Sequence, residues 1–368
     1  MNFLIATRRA MPLGLALGAA ACGLDKIVDA PPRFLQTWNL PADSTTISIA
    51  SVLPPSVSVY STPASNPPDS SAFTVAMTLL PVSRAVGVDC AACVALDGTT
   101  AIKPAFVLVS GSTSNLPTDV VSGGLIGGQV NVAITNNMSF DPIRVKTGPG
   151  TQGYMLIVLR SGSLVFGRDS LNGATTPFAP GSTLNRQITL QPGVITNSIS
   201  VDITINSPVG DTPVPIDAGS TLNAAATVPD FRVSQVRINV TNRTLGAPDA
   251  TSIDLGAMDD LIVEHVEGAD LLMSISNPFA VTGNVDVSFR YGSNPADVIT
   301  KTVAFPTGAD QLRSVSLTKS EVQLLFGNTV DVNINGSVNS ATAIDITPKQ
   351  VISIGNRLRL FILTGSEN

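Results

Sequence analysis

Charged residues are scarce in this chain of 368 residues, and their scarcity argues against nucleic-acid binding. They make up 13% of the chain, against about 25% in an average soluble domain. The formal net charge is −6, and no run of Lys and Arg forms the basic surface that nucleic acids require. We therefore expect no nucleic-acid partner.

Histidine and cysteine are too few for the usual metal and nucleophile chemistries. The chain has one histidine and three cysteines, whereas a structural zinc ion takes four such ligands. Any Ser-His-Asp or Cys-His mechanism would have to use His265, and no Gly-x-Ser-x-Gly motif accompanies it. Val263 and Val266 alternate with polar neighbours around it and predict a strand with His265 at the surface. We expect no catalytic residue, no metal and no cofactor, and keep a hydrolase based on His265 as an alternative.

Aromatic residues and long apolar runs are also scarce. With one Trp and three Tyr, the chain offers few rings that could stack on sugars. After the first 22 residues, no stretch is long and apolar enough for a transmembrane helix. Any association with a membrane would therefore come from a lipid or from a protein partner.

Residues 1–22 have the layout of a bacterial export signal. Arg8 and Arg9 precede an apolar run from Ala10 to Ala21, which is too short to span a bilayer. The run leads directly to Cys22, and this arrangement resembles the lipobox of bacterial lipoproteins, with Ala19 where that motif usually has leucine. The resemblance implies cleavage before Cys22, a lipid on its thiol, and a place in the periplasm or on the cell surface. A plain secretory signal is the alternative.

The chain is rich in short β-branched segments. Val and Ile alternate with Ser, Thr and Asn at period two in segments such as 46–52, 130–134 and 199–205. Glycines (30) and prolines (26) punctuate these segments along the whole length. This pattern predicts an all-β sandwich architecture. The glycines at 123, 124, 127 and 128 predict a bulge or a close approach of two backbones. The best helical pattern lies at 320–327, with Ser320 as cap, an early Glu321 and a closing glycine.

Two parts of the chain repeat each other in the same order. The aligned blocks are 130–138 with 271–279, 201–207 with 330–336, and Ile216-Asp217 with Ile344-Asp345. We therefore predict two tandem Ig-like antiparallel β-sandwiches, after a signal peptide at 1–21 and a lipidated cysteine with its tether at 22–40. The first unit is expected to span 41–228 and the second 229–368.

The block MSISNPFAVTGNVDVSFRYG at 273–292 resembles the strand-Asn-Pro turn of the late-embryogenesis-abundant type 2 (water-stress and hypersensitive-response) domain. The resemblance implies an Ig-like sandwich without catalytic residues. The first repeat departs from that pattern, since Asn137 stands where the family has proline.

Cys90 and Cys93 form a Cys-x-x-Cys motif. A redox motif would need a strand-helix-strand context, which the sequence does not show, and haem attachment would need histidine where Val94 stands. In an exported protein we expect a local disulfide that closes a loop.

The segment 34–40 places Phe34, Leu35 and Trp38 close together. We expect a first strand that docks on the domain, and we name these three residues as candidates for contact with a partner near the membrane. The predicted function is an exported lipoprotein that serves as a non-enzymatic binding or structural module. Its narrower form is an accessory subunit on the periplasmic face of a membrane protein complex, and a carbohydrate or small-ligand binder is an alternative.

Overall fold

Strands dominate the part of the chain that the computed structural model describes, which is residues 33–60, 71–144, 152–246, 250–256, 258 and 260–365. The strand pairings among these residues are antiparallel. The predicted all-β fold class is confirmed. The predicted signal peptide and Cys22 lie outside the described residues.

The first half of the described chain contains these strands: β1 Phe34–Pro41, β2 Thr45–Ser48, β3 Val57–Val59, β4 Phe73–Val75, β5 Val82–Ala85, β6 Thr100–Ile102, β7 Phe106–Asn115, β8 Val120–Asn136, β9 Tyr154–Ser161, β10 Leu164–Asn172, β11 Thr183–Thr189 and β12 Gly193–Thr196. The second half contains β13 Ser198–Ser207, β14 Pro213–Pro215, β15 Thr221–Ile238, β16 Arg243–Gly246, β17 Thr251–Asp254, β18 Val266–Asn277, β19 Val281–Arg290, β20 Val298–Phe305, β21 Gly308–Thr318, β22 Thr329–Ser340, β23 Ile344–Ile346 and β24 Val351–Thr364. The helices are α1 Val86–Asp89, α2 Ala91–Ala95, α3 Asp260–His265 and α4 Lys319–Leu325, with a 3-10 turn at Ile49–Ser51.

Four sheets account for most of these strands. Sheet I has the order β10-β9-β13-β7, and sheet II has the order β11-β8-β15-β4-β3, with β5, β12 and β23 also paired to it. Sheet III has the order β1-β24-β18-β21, with β2 also on β24, and sheet IV has the order β16-β22-β19-β20, with β17 also on β22. We call sheets I and II the first sandwich, and sheets III and IV the second sandwich.

The alternating sequence pattern explains how these sheets form their core. In β13, every second residue from Ile199 to Ile205 is buried, and the residues between them are half-buried. In β24, Ile352, Ile354, Leu358, Leu360 and Ile362 are buried in the same way. Because successive side chains point to opposite faces of a strand, each sheet presents one apolar face to the interior.

The repeat predicted from sequence corresponds to one topology used twice. In the first sandwich β8 pairs with β11 and β15, and in the second sandwich β18 pairs with β21 and β24. Likewise β9 lies between β10 and β13, and β19 lies between β20 and β22. The aligned blocks at 201–207 and 330–336 fall in β13 and β22, which hold the same place in their sheets.

The two sandwiches are not consecutive segments of the chain. β1 and β2 precede the whole first sandwich, yet both pair with β24 in the second. The predicted tether at 22–40 therefore contains most of β1, and the predicted join between 228 and 229 lies inside β15. β15 also pairs with β23 through residues 236–238, so a ladder of hydrogen bonds links the two sandwiches. Alternation predicts that a segment is a strand but not which strand it pairs with.

A buried asparagine sits at the same position of each repeat and makes the same contacts. The Asn136 side-chain amide donates to the carbonyls of Phe140 and Phe178, and its oxygen accepts from the Met138 N–H. The Asn277 amide donates to Val281 and Pro306, and its oxygen accepts from Phe279. Each side chain is 0% exposed. Both amides thus fix a turn and tie it to a distant loop.

The glycines at 123–128 mark a bulge, as their sequence suggests. The pairing of β8 with β15 changes register on both sides of Arg232. At Gly128, φ is +136° and an added Cβ would lie 2.1 Å from the Asp230 carbonyl oxygen. Position 128 therefore requires glycine, because the backbones of β8 and β15 leave no room there for a side chain.

The helices show where the sequence was misleading. α4 forms where predicted, but its cap is Thr318 rather than Ser320, and Thr318 makes a capping box with Glu321. The segment around His265, expected as a strand, is the end of α3, and the strand begins only at Val266. α1 and α2 were not predicted, because helices of four and five residues are too short to show a helical period.

Replacing Asn277 with alanine should lower the free energy of unfolding by about 2–4 kcal/mol, because buried carbonyls and an N–H lose their partners. The matched control is Asn284→Ala on β19, where the side chain is exposed, and we expect a change within about 0.5 kcal/mol. Urea unfolding followed by circular dichroism measures both. Equal midpoints for the two variants would show that the buried amide does not stabilise the turn.

Candidate functional site

Three exposed apolar residues lie on β1. Phe34 and Leu35 are each 60% exposed, and Trp38 is 42% exposed. Phe34 pairs with Thr364, Leu35 with Leu363 and Trp38 with Leu360, so β1 forms the edge of sheet III. Phe34 and Trp38 lie on one face of β1 and Leu35 on the opposite face, because successive side chains of a strand alternate. We call these three exposed residues at the edge of sheet III the β1 apolar patch. The expectation that this segment is a docked strand is confirmed, whereas its contact with a partner stays a prediction.

Edge position and exposure together make the β1 apolar patch a candidate interaction surface. An exposed strand edge presents backbone N–H and C=O groups that another chain can pair with. Phe34 and Trp38 on one face of this edge, and Leu35 on the other, expose apolar surface of a kind that recurs at protein or membrane contacts. The patch also lies at the part of the described chain nearest to Cys22.

A small polar pocket of about 190 Å³ lies at the same end of the second sandwich. Its lining includes Arg33, Glu264, His265, Glu267 and Lys319. Lys319 and Glu267 form an ion pair of 3.0 Å. His265 is half-buried. Within the described ranges, no group of three or more His, Cys, Asp and Glu residues is placed to hold a metal ion.

A second cavity, of about 270 Å³, lies in the first sandwich beside a buried lysine. Lys103 is 2% exposed, and its Nζ donates to the Ser207 hydroxyl and to the Pro208 carbonyl. The same ammonium lies 5.5 Å from the Phe106 ring centroid and 5.7 Å from that of Phe140. Lysine is almost never fully buried without a partner of opposite charge, so this position is chemically unusual.

No carboxylate of the described residues lies within ion-pair distance of Lys103, although Asp141 lines the same cavity. The Asp141 carboxylate accepts from the backbone N–H groups of Ile143, Arg144 and Phe178. Its hydrogen-bonding capacity is therefore largely used by the loop. Burial lowers the pKa of Lys103 to about 8, although the charge of Asp141 raises it.

The remaining lining of this cavity mixes charged and neutral groups. Arg144 and Asp211 lie on its wall, together with Ser139, Thr212 and Val214. The lining thus carries two cations, Lys103 and Arg144, and two carboxylates, Asp141 and Asp211. The cavity volume of about 270 Å³ lies just below the range that is typical of drug-sized ligands, which begins at about 300 Å³, so it would suit a smaller molecule.

Sequence reasoning did not single out Lys103. It lies between β6 and Pro104 with no motif around it, and its burial comes from residues more than 100 positions away, Ser207 and Pro208. The one local signal was a lysine within an otherwise apolar stretch, Ile102 to Phe106.

Cys90 and Cys93 are joined by a disulfide in the structure. Both are buried in the apolar core, at 3% and 0% exposure, and they connect the short helices α1 and α2. Gly87, in α1, packs closely against Ala218, and a Cβ added to this glycine would lie 2.9 Å from the Ala218 carbonyl oxygen. The pair thus holds a compact corner rather than an exposed loop tip.

None of the described helices has the length and apolar character needed to cross a membrane.

Comparisons with known proteins give no family. No protein-family model matches the chain, and no curated protein sequence matches it. A solved protein of Parabacteroides distasonis ATCC 8503, described as secreted, aligns over 88% of this chain and 99% of its own, at 11% identity and a TM-score of 0.32. Resemblance to the late-embryogenesis-abundant domain stays a prediction.

Two further solved structures align more weakly. A Paenibacillus xanthan lyase aligns over 85% of this chain and 27% of its own, at 12% identity and a TM-score of 0.16. The CBM22-1–CBM22-2 tandem of Paenibacillus barcinonensis Xyn10C aligns over 87% and 98%, at 7% identity and a TM-score of 0.17. At these TM-scores the alignments support no conclusion about fold or function, and the β-sandwich architecture follows from the strand pairings alone.

The buried Lys103 predicts a specific pH dependence of stability. Its pKa is about 8 in the folded protein and 10.5 as the ordinary value. Between these values the unfolded chain binds the extra proton, so the free energy of unfolding should rise with pH. The gain should reach about 3 kcal/mol across that range.

Urea unfolding from about pH 7 to about pH 10 measures this rise in the wild type, in Lys103→Met and in Lys349→Met. Lys349 is exposed and serves as the matched control. The rise should disappear in Lys103→Met and persist in Lys349→Met. Parallel pH profiles for all three proteins would show that Lys103 titrates at its ordinary pKa.

Proposed function

We propose that this protein is an exported bacterial lipoprotein that acts as a non-enzymatic binding or structural module at a membrane surface. The observation that carries the proposal is the β1 apolar patch. Phe34, its first residue, follows Cys22 by 12 residues and is 60% exposed. A lipid on Cys22 would therefore hold an exposed apolar edge close to the membrane.

Two further features support export and a role without catalysis. A buried disulfide such as Cys90–Cys93 persists in oxidising compartments and is rare in the cytosol. Of the four carboxylates that line the two cavities, Asp141 accepts backbone hydrogen bonds and Glu267 pairs with Lys319, while Asp211 and Glu264 also lie on the walls. A general base needs a carboxylate that is available to substrate.

The narrower form of the proposal is an accessory subunit on the periplasmic face of a membrane protein complex. Isolation from native membranes in mild detergent, followed by mass spectrometry, tests it. Recovery of one complex in stoichiometric amounts, and again with the tag on another of its subunits, would support the subunit role. Recovery of this protein alone would contradict it.

Lipid anchoring is tested by Cys22→Ala. The wild-type protein should fractionate with membranes, and its N-terminal peptide should carry the mass of acyl chains. Cys22→Ala should lose the acyl mass and leave the membrane fraction, while the control Cys22-retaining variant Cys90→Ala/Cys93→Ala should keep both. An unmodified N-terminal peptide in the wild type would contradict the lipoprotein proposal.

A second candidate function, binding of a small anionic ligand, is favoured by the cavity beside Lys103. Here a buried cation that lacks a paired carboxylate lines a cavity of about 270 Å³. An anion in the cavity would offset the cost of burying that charge. Among anions, an acidic sugar is the ligand that agrees best with the alternative of carbohydrate binding. The lining contains one aromatic ring, Phe140, so we expect such a sugar to be recognised by charge rather than by stacking.

Thermal unfolding with glucuronate and with glucose tests this second function. Glucuronate should raise the melting temperature of the wild type, because a ligand that binds only the folded state stabilises it. Glucose is the neutral control and should have no effect, and Lys103→Met should abolish the response to glucuronate. An equal response to inorganic phosphate would indicate a general anion site, and the absence of any response would remove this candidate.

A further inference from the structure

We infer that the second sandwich lies next to the membrane through the β1 apolar patch, and that the first sandwich, with the Lys103 cavity, projects away from it. The inference rests on the proposed lipid at Cys22 for its place in the cell. The occupant of the patch is the lipid surface itself.

The first step is the origin of the tether. The chain order suggests that the unit after the tether, residues 41–228, is the one near the membrane. The pairing shows otherwise, because Phe34 to Pro41 pair with the last strand, β24, along its whole C-terminal half. A tether that is anchored at Cys22 is therefore connected to the second sandwich before it is connected to the first.

The second step is the reach of the tether. Phe34 lies twelve positions after Cys22, and an extended chain over that interval spans at most about 40 Å. The Phe34 end of β1 must therefore stay within that distance of the lipid. An anchor on Cys22 thus restricts where the second sandwich can be.

The third step is the position of the first sandwich. β24 runs from Val351 to Thr364, and Phe34 pairs with its last residue. The link to the first sandwich, β23 on β15, comes just before Val351. At about 3.4 Å per residue, the two ends of β24 lie about 45 Å apart. The tether and the first sandwich thus leave the second sandwich at opposite ends of one strand.

The fourth step places the cavity. β15 pairs with β23 at its C-terminal end and with Asn136 at its N-terminal end, through Leu222. The cavity residues Ser139 and Phe140 follow Asn136 directly. The Lys103 cavity therefore lies at the end of β15 that is away from the second sandwich.

The chemistry of the patch fits a lipid surface. Phe and Trp side chains are enriched at the level of the lipid headgroups, where a ring can contact both apolar and polar groups. Arg33, directly before the patch, is exposed, and Lys319 lines the pocket at the same end. Glu264 and Glu267 line the same pocket, and Lys319 is paired with Glu267, so the fit to a lipid surface rests on Phe34 and Trp38 rather than on charge.

The experiment uses Trp38, which is the one tryptophan of the chain. The chain from Cys22 onward is coupled through the Cys22 thiol to a maleimide lipid in phosphatidylcholine–phosphatidylglycerol vesicles, so that native lipidation is not required. Brominated phosphatidylcholine in the same vesicles quenches tryptophans that contact lipid. We expect Trp38 emission to shift to shorter wavelength and to be quenched.

The matched control is Trp38→Phe/Tyr154→Trp, which moves the tryptophan to an exposed position of the first sandwich. Its emission should stay unquenched on the same vesicles. Phe34→Ser/Leu35→Ser, anchored identically, should lose most of the quenching of Trp38. These three results together support the inference.

Three outcomes would overturn it. Unquenched Trp38 on anchored protein would mean that the patch does not contact lipid and is available to a protein. Quenching of the tryptophan at position 154 would place the first sandwich at the membrane. Full quenching in Phe34→Ser/Leu35→Ser would assign the orientation to the tether alone. Because the anchor is supplied chemically, none of these results depends on whether cells attach a lipid to Cys22.

Discussion

The pairing of the first described strand with the last is the constraint on which the rest of the structure depends. β1 aligns eight residues, Phe34 to Pro41, against Arg357 to Thr364. Without β1 and β2, this edge of β24 would lack backbone hydrogen-bond partners along Val351–Ile354 and Arg357–Thr364. The second sandwich can therefore be completed only when both ends of the chain are present. Contacts across such a long separation form slowly, because the loop between them must close first.

One topology, repeated in the sequence, gives two sandwiches that differ in where their edge strands come from. Each repeat keeps a buried asparagine with three hydrogen bonds, Asn136 in one and Asn277 in the other. The amide has two donors and an acceptor, and each site supplies partners for all of them. What differs is the source of the edge strands: β5 and β4 cover β15 from within the first unit, whereas β1 and β2 reach β24 from outside the second.

Much of the fold could be predicted from the sequence, because alternation at period two is a local property. The strands at 130–134 and 199–205 and the glycine bulge follow from short windows. The alternating segment 46–52 is a strand only as far as Ser48, because the chain turns into a 3-10 helix at Ile49–Ser51. The pairing of β1 with β24 could not be predicted, since an edge strand carries no signal for its distant partner. His265 was misplaced because Val263 and Val266 fit both an alternating strand and the turn of a short helix that ends at the histidine.

The Lys103 cavity was missed for a related reason. A lysine in sequence is ordinarily a solvated charge, and only the fold brings Ser207, Pro208 and two phenylalanine rings around this one. Burying a charge without a paired carboxylate costs stability unless other groups offset it. Two hydrogen bonds and two ring faces offset part of that cost. Burial lowers the pKa of Lys103 to about 8 despite these contacts and despite the charge of Asp141, which raises it.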